Sequence, residues 1–330
     1  MKIKSYLAKP FASIVYKSLQ RSMQTPLADQ DKILKQLLKK GSASEFGKEH
    51  HLNEINDYQS FIQAIPIRDY EKFSPYIAKI KEGKANILWP GKPLYLAKTS
   101  GTTSGAKYIP ISNDSISNHI NTARNALLTY IATTGKSDFA SGNMIFLSGS
   151  PTLDRIGDIP TGRLSGIVNH HIPGYLRSNQ LPSFETNCIE DWETKLDKIV
   201  EETINKDMSL ISGIPPWVQM YFDRLEELSG QKIGDLFPDF QVFVTGGVNF
   251  EPYREKLMAS IGREVDVVET YPASEGFIAF DDSSGEPGLL LNVDGGIFFE
   301  FVPTDTYFGA NPVRLSLTEV ALGVNYAILL

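Results

Sequence analysis

Residues 99–107 combine glycine, hydroxyl side chains and a terminal lysine. Glycine tolerates positive φ, so it lets successive backbone N–H groups converge on one anion. The hydroxyls add hydrogen-bond donors for phosphate oxygens, and the lysine adds a positive charge at the end of the segment. The residues with these properties are Thr99, Ser100, Gly101, Thr102, Thr103, Ser104, Gly105 and Lys107. The pattern predicts a phosphate loop, in preference to a polar surface turn.

The spacing of the phosphate loop differs from that of a Walker A motif. Ala106 stands where that motif requires glycine, and Tyr108 stands where it requires serine or threonine. Residues 108–111 look extended, whereas a Walker A loop opens directly into a helix. We therefore expect the phosphate loop to join two strands and to act as a mobile clamp over a polyphosphate.

A second polar segment, residues 269–276, follows a short apolar run at residues 265–268. A carboxylate beside hydroxyl groups at the end of a buried strand can hold Mg²⁺ facing the phosphates of a nucleotide. An aromatic ring such as that of Tyr271 can stack on adenine or border the ligand. A structural turn with a solvated glutamate would contain the same residues, so this segment alone leaves both interpretations open.

The elements that must position these segments alternate between short strands and helices from residue 94 onward. Strands are expected at residues 94–98, 144–147, 210–211, 241–245 and 265–268, and helices at residues 114–133, 192–204, 216–228 and 252–262. Such alternation predicts parallel strands covered by helices. Ligands of such sheets collect at the carboxyl ends of the strands, where both polar segments lie.

The two ends of the chain have a different texture. Residues 1–90 are predicted to be a mainly helical lead-in. Residues 288–302 are rich in apolar side chains and predict β-hairpins that turn at Gly295 and Gly296. The chain stops at residue 330 inside an apolar strand with no polar tail, and we expect this to be a truncation.

Composition narrows the class of protein. The 330 residues are 42% hydrophobic and 22% charged, as in a globular protein, and the net charge of −7 argues against a nucleic-acid partner. The single cysteine, Cys188, excludes an intrachain disulfide and fits a reducing compartment. No apolar run reaches the roughly 18 residues of a membrane span, so no stable membrane insertion is expected. These properties predict a cytoplasmic protein.

The first 24 residues carry lysine and arginine side chains between apolar residues at roughly helical spacing. The apolar residues are Ile3, Leu7, Phe11, Ile14, Val15 and Leu19. The segment lacks the continuous apolar core of a signal peptide. We expect an amphipathic helix whose apolar side packs on the body of the protein; a membrane-surface helix is the alternative.

Together, the phosphate loop and residues 271–275 resemble two signatures of adenylate-forming enzymes, their phosphate loop and their aromatic–x–x–Ser/Thr–Glu motif. More closely, the chain resembles the GH3 family of acyl-acid amido synthetases. The matching stretches are SGTTSGAKYIP, SGIPPW, TGG, YPASEG and the closing FFEFVP…EV…G…YAILL, which occur in family order from about residue 61 to residue 330. The resemblance implies an α/β fold of the luciferase-like and acyl-CoA-synthetase-like type, with parallel sheets flanked by helices and a β-barrel-like portion.

The resemblance also implies a ligase that uses ATP and Mg²⁺ to activate a carboxylic acid as acyl-AMP. The acyl group would then pass to an amino acid or another amine. The implied catalytic residues are Lys107 and Glu275, the latter also the Mg²⁺ ligand. The implied ATP-binding residues are Thr99, Ser100, Gly101, Thr102, Thr103, Gly105, Gly246, Gly247, Tyr271, Pro272, Ala273, Ser274 and Glu275. Positioning and charge neutralisation would carry the rate of such a transfer.

The acyl pocket is less sharply marked. In the family its usual wall is the helix after the phosphate loop, which implies Arg124, Leu127 and Leu128, and Leu164 is added from a second segment. Arg124 would pair with a substrate carboxylate, although a solvated surface arginine explains it equally well.

The chain departs from the family pattern at its end. Family members continue with a Gly-Asp motif and a smaller lid domain, so we expect residues 1–330 to be one large ATP- and acyl-binding domain without that lid. Pro272 is a second departure, since a small residue usually follows the aromatic. Two alternatives stay open: an acyl-CoA ligase that uses the same adenylation step, and a nucleotide-binding fragment without full turnover.

Overall fold

The computed structural model describes residues 3–99, 105–172 and 174–330 of the chain. The chain divides into two compact units. Unit 1 consists of Met1–Ser18, His119–Asp154 and Gly162–Leu291. Unit 2 consists of Leu19–Asn118, Arg155–Thr161 and Asn292–Leu330. The phosphate loop therefore belongs to unit 2, and residues 269–276 belong to unit 1.

Helices occupy much of both units. In chain order they are α1 (Ile3–Gln24), α2 (Pro26–Gly41), α3 (Glu45–Glu49), α4 (Tyr58–Ala64), α5 (Tyr70–Lys81), α6 (Ile116–Thr134), α7 (Leu164–Asn169), α8 (Gly174–Arg177), α9 (Phe184–Asn187), α10 (Trp192–Thr203), α11 (Pro215–Ser229), α12 (Ile233–Leu236) and α13 (Glu251–Ile261), with short 3₁₀ helices at Leu52–Glu54 and Asp138–Ser141. The Asp191 side chain caps α10 by accepting from the Thr194 amide, and left-handed Gly262 ends α13. Helices α6, α10, α11 and α13 confirm the predicted ones at nearly the same bounds.

Within the described ranges of the chain, the strands form three sheets. In chain order the strands are β1 (Tyr95–Thr99), β2 (Lys107–Ile111), β3 (Asn143–Phe146), β4 (Asp154–Ile156), β5 (Ile159–Gly162), β6 (Gln180–Leu181), β7 (Met208–Ser212), β8 (Val242–Gly246), β9 (Asp266–Pro272), β10 (Phe277–Phe280), β11 (Leu290–Leu291), β12 (Glu300–Pro303) and β13 (Tyr326–Leu329). The largest sheet has seven strands in the order β11-β10-β9-β8-β7-β3-β6. Smaller sheets have the orders β2-β1-β5-β4 and β12-β13. The predicted α/β class with a parallel sheet flanked by helices is confirmed.

Five strands of the seven-stranded sheet, β6, β3, β7, β8 and β9, run parallel. Their carboxyl ends therefore meet at one edge of the sheet, which is where ligands bind in such folds. The strands are apolar because helices cover them: Ile145, Ile211 and Phe243 share one core with Ile199 of α10 and Phe222 of α11. This core holds the carboxyl edge in place.

Strand β9 is longer than predicted. It pairs with β8 in parallel as far as Gly246 opposite Thr270, and with β10 in antiparallel fashion from Thr270 to Pro272. Residues 269–272 are therefore part of the strand, and the turn that follows is short. Pairing with β8 and β10 continues β9 beyond its apolar residues. The apolar run at residues 265–268 does not reveal this pairing.

The predicted hairpin about Gly295 and Gly296 is wrong. Strand β11 pairs with β10, and β12 pairs with β13, so the two sides of that turn join different sheets. Between them, the Gln30 side chain donates to the Val293 and Ile297 carbonyls at 2.7 and 2.9 Å and accepts from the Phe299 amide. One buried glutamine of α2 thus satisfies backbone groups that a hairpin would have paired.

The N-terminal helix α1 forms as expected, but it packs on unit 1 through a different side. Ser5 and Ala12 are buried, whereas Leu7, Phe11 and Ile14 are exposed. The prediction that the apolar side packs on the body is therefore wrong for these three residues. No helix within the described residues combines the length and the apolar character that crossing a membrane requires.

Candidate active site

The phosphate loop closes a hairpin. Thr99 at the end of β1 lies opposite Lys107 at the start of β2 in an antiparallel ladder that continues to Tyr95 opposite Ile111. The prediction that this loop joins two strands is confirmed. The expectation that it lies at the carboxyl edge of the parallel sheet is wrong, because β1 and β2 pair in antiparallel fashion in the separate four-stranded sheet. Gly105 adopts a φ of +85°, the left-handed region that glycine enters without strain. Ser100, Gly101, Thr102 and Thr103 lie outside the described residues, so their roles stay predictions.

The Lys107 side chain lies on an aromatic ring. Its Nζ atom is 5.4 Å from the centre of the Tyr70 ring, and the Tyr70 hydroxyl accepts a 2.9 Å hydrogen bond from the Tyr108 amide. Tyr70, the first residue of α5, thus contacts both the backbone of β2 and the charge at the exit of the loop. A cation within about 6 Å of a ring face is attracted to it, so the Tyr70 ring positions the Lys107 amine at the exit of the loop.

A second cation lies near the start of β2. The Nζ atom of Lys81 lies 3.8 Å from the centre of the Tyr108 ring, and burial lowers the pKa of this amine. Lys81 ends α5 and carries no motif, so sequence reasoning did not identify it. Its position adds positive charge on the flank of the phosphate loop.

Ser274 and Glu275 form the tip of a tight turn between β9 and β10. Ala273 and Gly276 exchange backbone hydrogen bonds of 3.0 and 3.2 Å across it. The turn leaves Glu275 exposed. Mg²⁺ sites on nucleotides use one or two carboxylates and complete their coordination with phosphates and water. A single exposed carboxylate beside a hydroxyl therefore fits the predicted ion.

Gly246 leaves no room for a side chain against β9. A β-carbon there would overlap the carbonyl and hydroxyl oxygens of Thr270 and come within 3.1 Å of the Pro272 ring. The Thr270 hydroxyl in turn donates to the Thr245 carbonyl at 2.8 Å. The absence of a side chain at Gly246 is thus required by β9. Gly247 has a φ of +83°, and Ile214 is the nearest group to its missing β-carbon, at 3.5 Å.

These contacts connect TGG and YPASEG directly. Gly246, Thr270 and Pro272 meet at the carboxyl edge of the sheet, and Tyr271 between them is 45% exposed, so its ring is accessible to a ligand. Glu269 is half-buried in the same strand, and burial raises the pKa of its carboxyl. Of the two glutamates in residues 269–276, Glu275 is the exposed one, and an Mg²⁺ ligand needs an exposed carboxylate.

Sequence reasoning also missed a buried lysine at this edge. Lys195 of α10 is 3% exposed, and its Nζ donates to the carbonyls of Ser148, which follows β3, and Asn187 at 3.0 and 2.7 Å. Burial lowers the pKa of Lys195 to about 8. Lys195 lies three residues after Trp192 and four before Ile199, which places it on the apolar side of α10. This spacing is the feature of the sequence that could have identified it as a buried lysine.

The residues predicted for the acyl pocket all lie in unit 1. Arg124 on α6 is half-buried, with its guanidinium 5.7 Å from the centre of the Phe11 ring and hydrogen bonds of 3.3 and 3.1 Å to the Asn125 side chain. Leu128 on α6 is buried, Leu127 is half-buried, and Leu164 begins α7. Arg124 is therefore not a simple solvated arginine, and the grouping of the four stays a prediction.

Comparison with known proteins agrees with the motifs. The family model described as the GH3 family N-terminal domain matches residues 15–180. The chain is similar to the jasmonoyl–L-amino acid synthetase JAR4 of Nicotiana attenuata, with 22% identity over 91% of this chain and 63% of that protein. JAR6 of the same species is 31% identical over 26% of this chain and 15% of its own length. The chain thus spans 63% of the length of the JAR4 protein.

Solved structures share the fold. An acyl acid amido synthetase, AtGH3.15 in complex with 2,4-DB, superposes with a TM-score of 0.77 at 14% identity, covering 95% of this chain and 64% of that one. A 2-hydroxyisobutyryl-CoA ligase in complex with 2-HIB-AMP and CoA has a TM-score of 0.57 at 10% identity, covering 86% of this chain and 57% of that one. Because the family model covers half of the 330 residues, the chain belongs to the GH3 family.

Proposed function

We propose that this chain binds ATP and Mg²⁺ and forms the part of an acyl-acid amido synthetase that activates a carboxylic acid as acyl-AMP. The acyl group then passes to an amino acid or another amine. The observation that carries the proposal is the pairing of Thr99 with Lys107, which closes the phosphate loop as a strand-to-strand clamp with a lysine at its exit. The names of the relatives, a jasmonoyl–L-amino acid synthetase and an acyl acid amido synthetase, support the choice of an amide product.

In the first half-reaction an oxygen of the acid attacks the α-phosphorus of ATP, the bond to the bridging oxygen breaks, and pyrophosphate leaves. Lys107 and the phosphate loop, with Thr99, Ser100, Gly101, Thr102, Thr103 and Gly105, hold the leaving phosphates. They neutralise charge that grows as the bond breaks. The backbone at Gly246 and Gly247 approaches the adenine closely and Tyr271 borders it, while Pro272, Ala273 and Ser274 complete the ATP-binding segment. Each group acts by position, so the protein itself supplies no covalent intermediate.

Glu275 is the proposed ligand for Mg²⁺, and Ser274 lies beside it. The ion supplies charge neutralisation on the phosphate oxygens when it is bound. The residues proposed for the acid are Arg124, Leu127, Leu128 and Leu164. The contacts of Arg124 with Phe11 and Asn125 support a fixed guanidinium that meets the substrate carboxylate. We also propose a cytoplasmic location, which suits a single free thiol at Cys188.

Pyrophosphate exchange into ATP tests the first half-reaction. The exchange is expected to require both Mg²⁺ and a carboxylic acid, and no exchange with any acid of a broad panel would overturn the proposal. Mass spectrometry of the products then tests the second half-reaction with pooled amino acids against coenzyme A. An amide product is expected, whereas a thioester alone would make the chain part of an acyl-CoA ligase.

A further inference from the structure

One side of helix α1 is fixed on unit 1 by polar contacts. The Ser5 hydroxyl lies 2.8 Å from that of Ser137, the Ser5 amide donates to the Ser141 hydroxyl at 3.0 Å, and Ala12 is fully buried. The Lys4 amine donates to the side chains of Ser178 and Asn179. Packing through serine and alanine leaves the larger apolar residues of the helix on the other side.

That other side carries large apolar side chains in solvent. Tyr6 is 80% exposed, Leu7 is 61% exposed and Ile14 is 67% exposed. Leu7 and Ile14 are seven residues apart, and Pro10 and Phe11 between them are also exposed, so the four lie on one helical face. Single exposed apolar residues are ordinary on protein surfaces, but a row of them along one helix marks an interaction surface.

The charge of α1 is opposite to that of the chain. The chain has a net charge of −7, yet its first acidic residue is Asp29. The basic residues before it are Lys2, Lys4, Lys9, Lys17 and Arg21. The side chains of Lys9, Lys17 and Arg21 are exposed, as are the apolar ones. A cationic helix with an apolar exposed face on an acidic protein points to an anionic and apolar partner.

We infer that the exposed face of α1 lies on an anionic lipid surface. A lipid surface meets both features of this face, since headgroup phosphates attract the lysines while the acyl boundary accepts Leu7 and Ile14. A second copy of the chain would place like charges against each other at a shared α1 interface. Nucleic acid would meet the net charge of −7 on the rest of the chain, which disfavours a polyanion. The helix binds along the surface and does not cross it.

The test is flotation of the protein with vesicles of phosphatidylcholine alone and of phosphatidylcholine mixed with phosphatidylglycerol. Binding to the mixed vesicles is expected to exceed binding to neutral ones by at least about tenfold, because each basic residue near the surface adds roughly fivefold. Raising the salt concentration is expected to weaken it by screening.

Variants of α1 separate the two features of the face. Leu7→Gln/Ile14→Gln keeps good helix formers at both positions and removes the apolar contact, and Lys17→Glu/Arg21→Glu reverses the charge. Each is expected to lose binding by at least about tenfold. Two controls are expected to bind as the unmodified protein does: Leu228→Gln, which is 56% exposed on α11, and Lys48→Glu/Lys206→Glu. Far-UV circular dichroism and a thermal melt confirm that each variant is folded.

Three results would overturn the inference. The first is equal binding to neutral and anionic vesicles, and the second is binding that the α1 variants leave unchanged. The third is absence of vesicle binding together with self-association in sedimentation that Leu7→Gln/Ile14→Gln abolishes. That last result would assign the face to a second copy of the chain. None of these results bears on ATP binding, so the proposed function is tested independently.

Discussion

Thr99 and Lys107 lie directly opposite each other in the antiparallel ladder of β1 and β2. The ladder sets the two ends of the phosphate loop at the spacing of paired strands. Tyr70 adds a second constraint, because its ring lies under Lys107 and its hydroxyl accepts from the Tyr108 amide. The cation at the exit of the loop is thus positioned before any nucleotide arrives, which lowers the entropy lost on binding.

Substitutions at Tyr70 test this positioning. Tyr70→Leu removes the ring under Lys107 and is expected to weaken ATP·Mg²⁺ binding by roughly twofold to fivefold, the range of an exposed cation–π contact. Tyr70→Phe keeps the ring and loses only the hydroxyl, so it is expected to cost about 1 kcal/mol of stability and leave affinity nearly unchanged. Calorimetric titration and urea unfolding measure the two effects. Equal affinities for the two variants would contradict the role of the ring.

Gly246→Ala tests the contact between β8 and β9. The added methyl group would overlap the carbonyl oxygen of Thr270 and its hydroxyl oxygen, which is held by a hydrogen bond to the Thr245 carbonyl. A loss of about 1–3 kcal/mol in the free energy of unfolding is expected. Gly174→Ala is the matched control, because a β-carbon at Gly174 meets no atom within 4 Å. Equal unfolding midpoints in urea for the two variants would contradict the prediction, because they would show that β9 shifts to accommodate the methyl group at little cost in stability.

A buried ion pair ties α4 to β12 within unit 2. Arg314 donates to both carboxylate oxygens of Glu300 at 3.0 and 2.6 Å, and the Tyr58 hydroxyl donates to the same carboxylate. Burial raises the pKa of Tyr58, so this hydroxyl keeps its proton. Arg314→Met would leave Glu300 buried without its cation and is expected to cost about 3–5 kcal/mol.

The double variant Arg314→Met/Glu300→Leu is expected to recover part of that loss, since no unpaired charge stays buried. Lys35→Met is the surface control, because the Lys35–Asp31 pair is 60% and 58% exposed and is expected to contribute less than about 1 kcal/mol. Chemical unfolding of the four proteins measures these differences. A double variant that is less stable than Arg314→Met would show that the unpaired charge of Glu300 is not what destabilises the single variant.

His119 is a buried group that we expect to make the protein sensitive to acid. It is 2% exposed, and burial lowers its pKa from 6.5 to about 4. Between those pH values the unfolded chain binds a proton that the folded chain excludes, so stability falls as pH drops from 6.5 toward 4. Replacing the group by His119→Gln is expected to reduce this fall by up to about 3 kcal/mol. Unfolding measured from pH 7 to pH 4 checks the difference between the two proteins.

The control for that experiment is His51→Asn. His51 is exposed, and its φ of +50° is a conformation that asparagine tolerates. This variant is expected to follow the unmodified protein through the acid range. The same acid slope in His119→Gln would assign the sensitivity to carboxylates elsewhere.

Periodicity and turn residues were enough to predict the elements around the site. The pattern of residues 192–204 predicted α10, and the extended residues on both sides of the phosphate loop predicted β1 and β2. Where prediction failed, a partner far away in sequence decided the structure. Gln30 satisfies the backbone near Phe299 across some 269 positions, and no local pattern reveals such a contact.

The faces of the helices show the same limit. An apolar stripe indicates that a helix has a distinct face, but it does not identify what covers that face. On α1 the stripe with Leu7 and Ile14 faces solvent, and Ser5 makes the packing contact instead. On α10 the Lys195 amine lies in the core because two backbone carbonyls accept hydrogen bonds from it. Both outcomes depend on the neighbouring surface, which only the folded chain supplies.

Calorimetric titration of ATP with the chain, in the presence and absence of Mg²⁺, is the most direct test of the proposed nucleotide site. We expect ATP binding to require Mg²⁺. Lys107→Ala and Glu275→Gln are each expected to weaken it by roughly tenfold to a hundredfold, the value of one charged contact. The exposed residues Lys84 and Glu286 supply matched controls, Lys84→Ala and Glu286→Gln, which are expected to bind normally. Absence of binding, or affinities for Lys107→Ala and Glu275→Gln equal to those of the controls, would contradict the assignment.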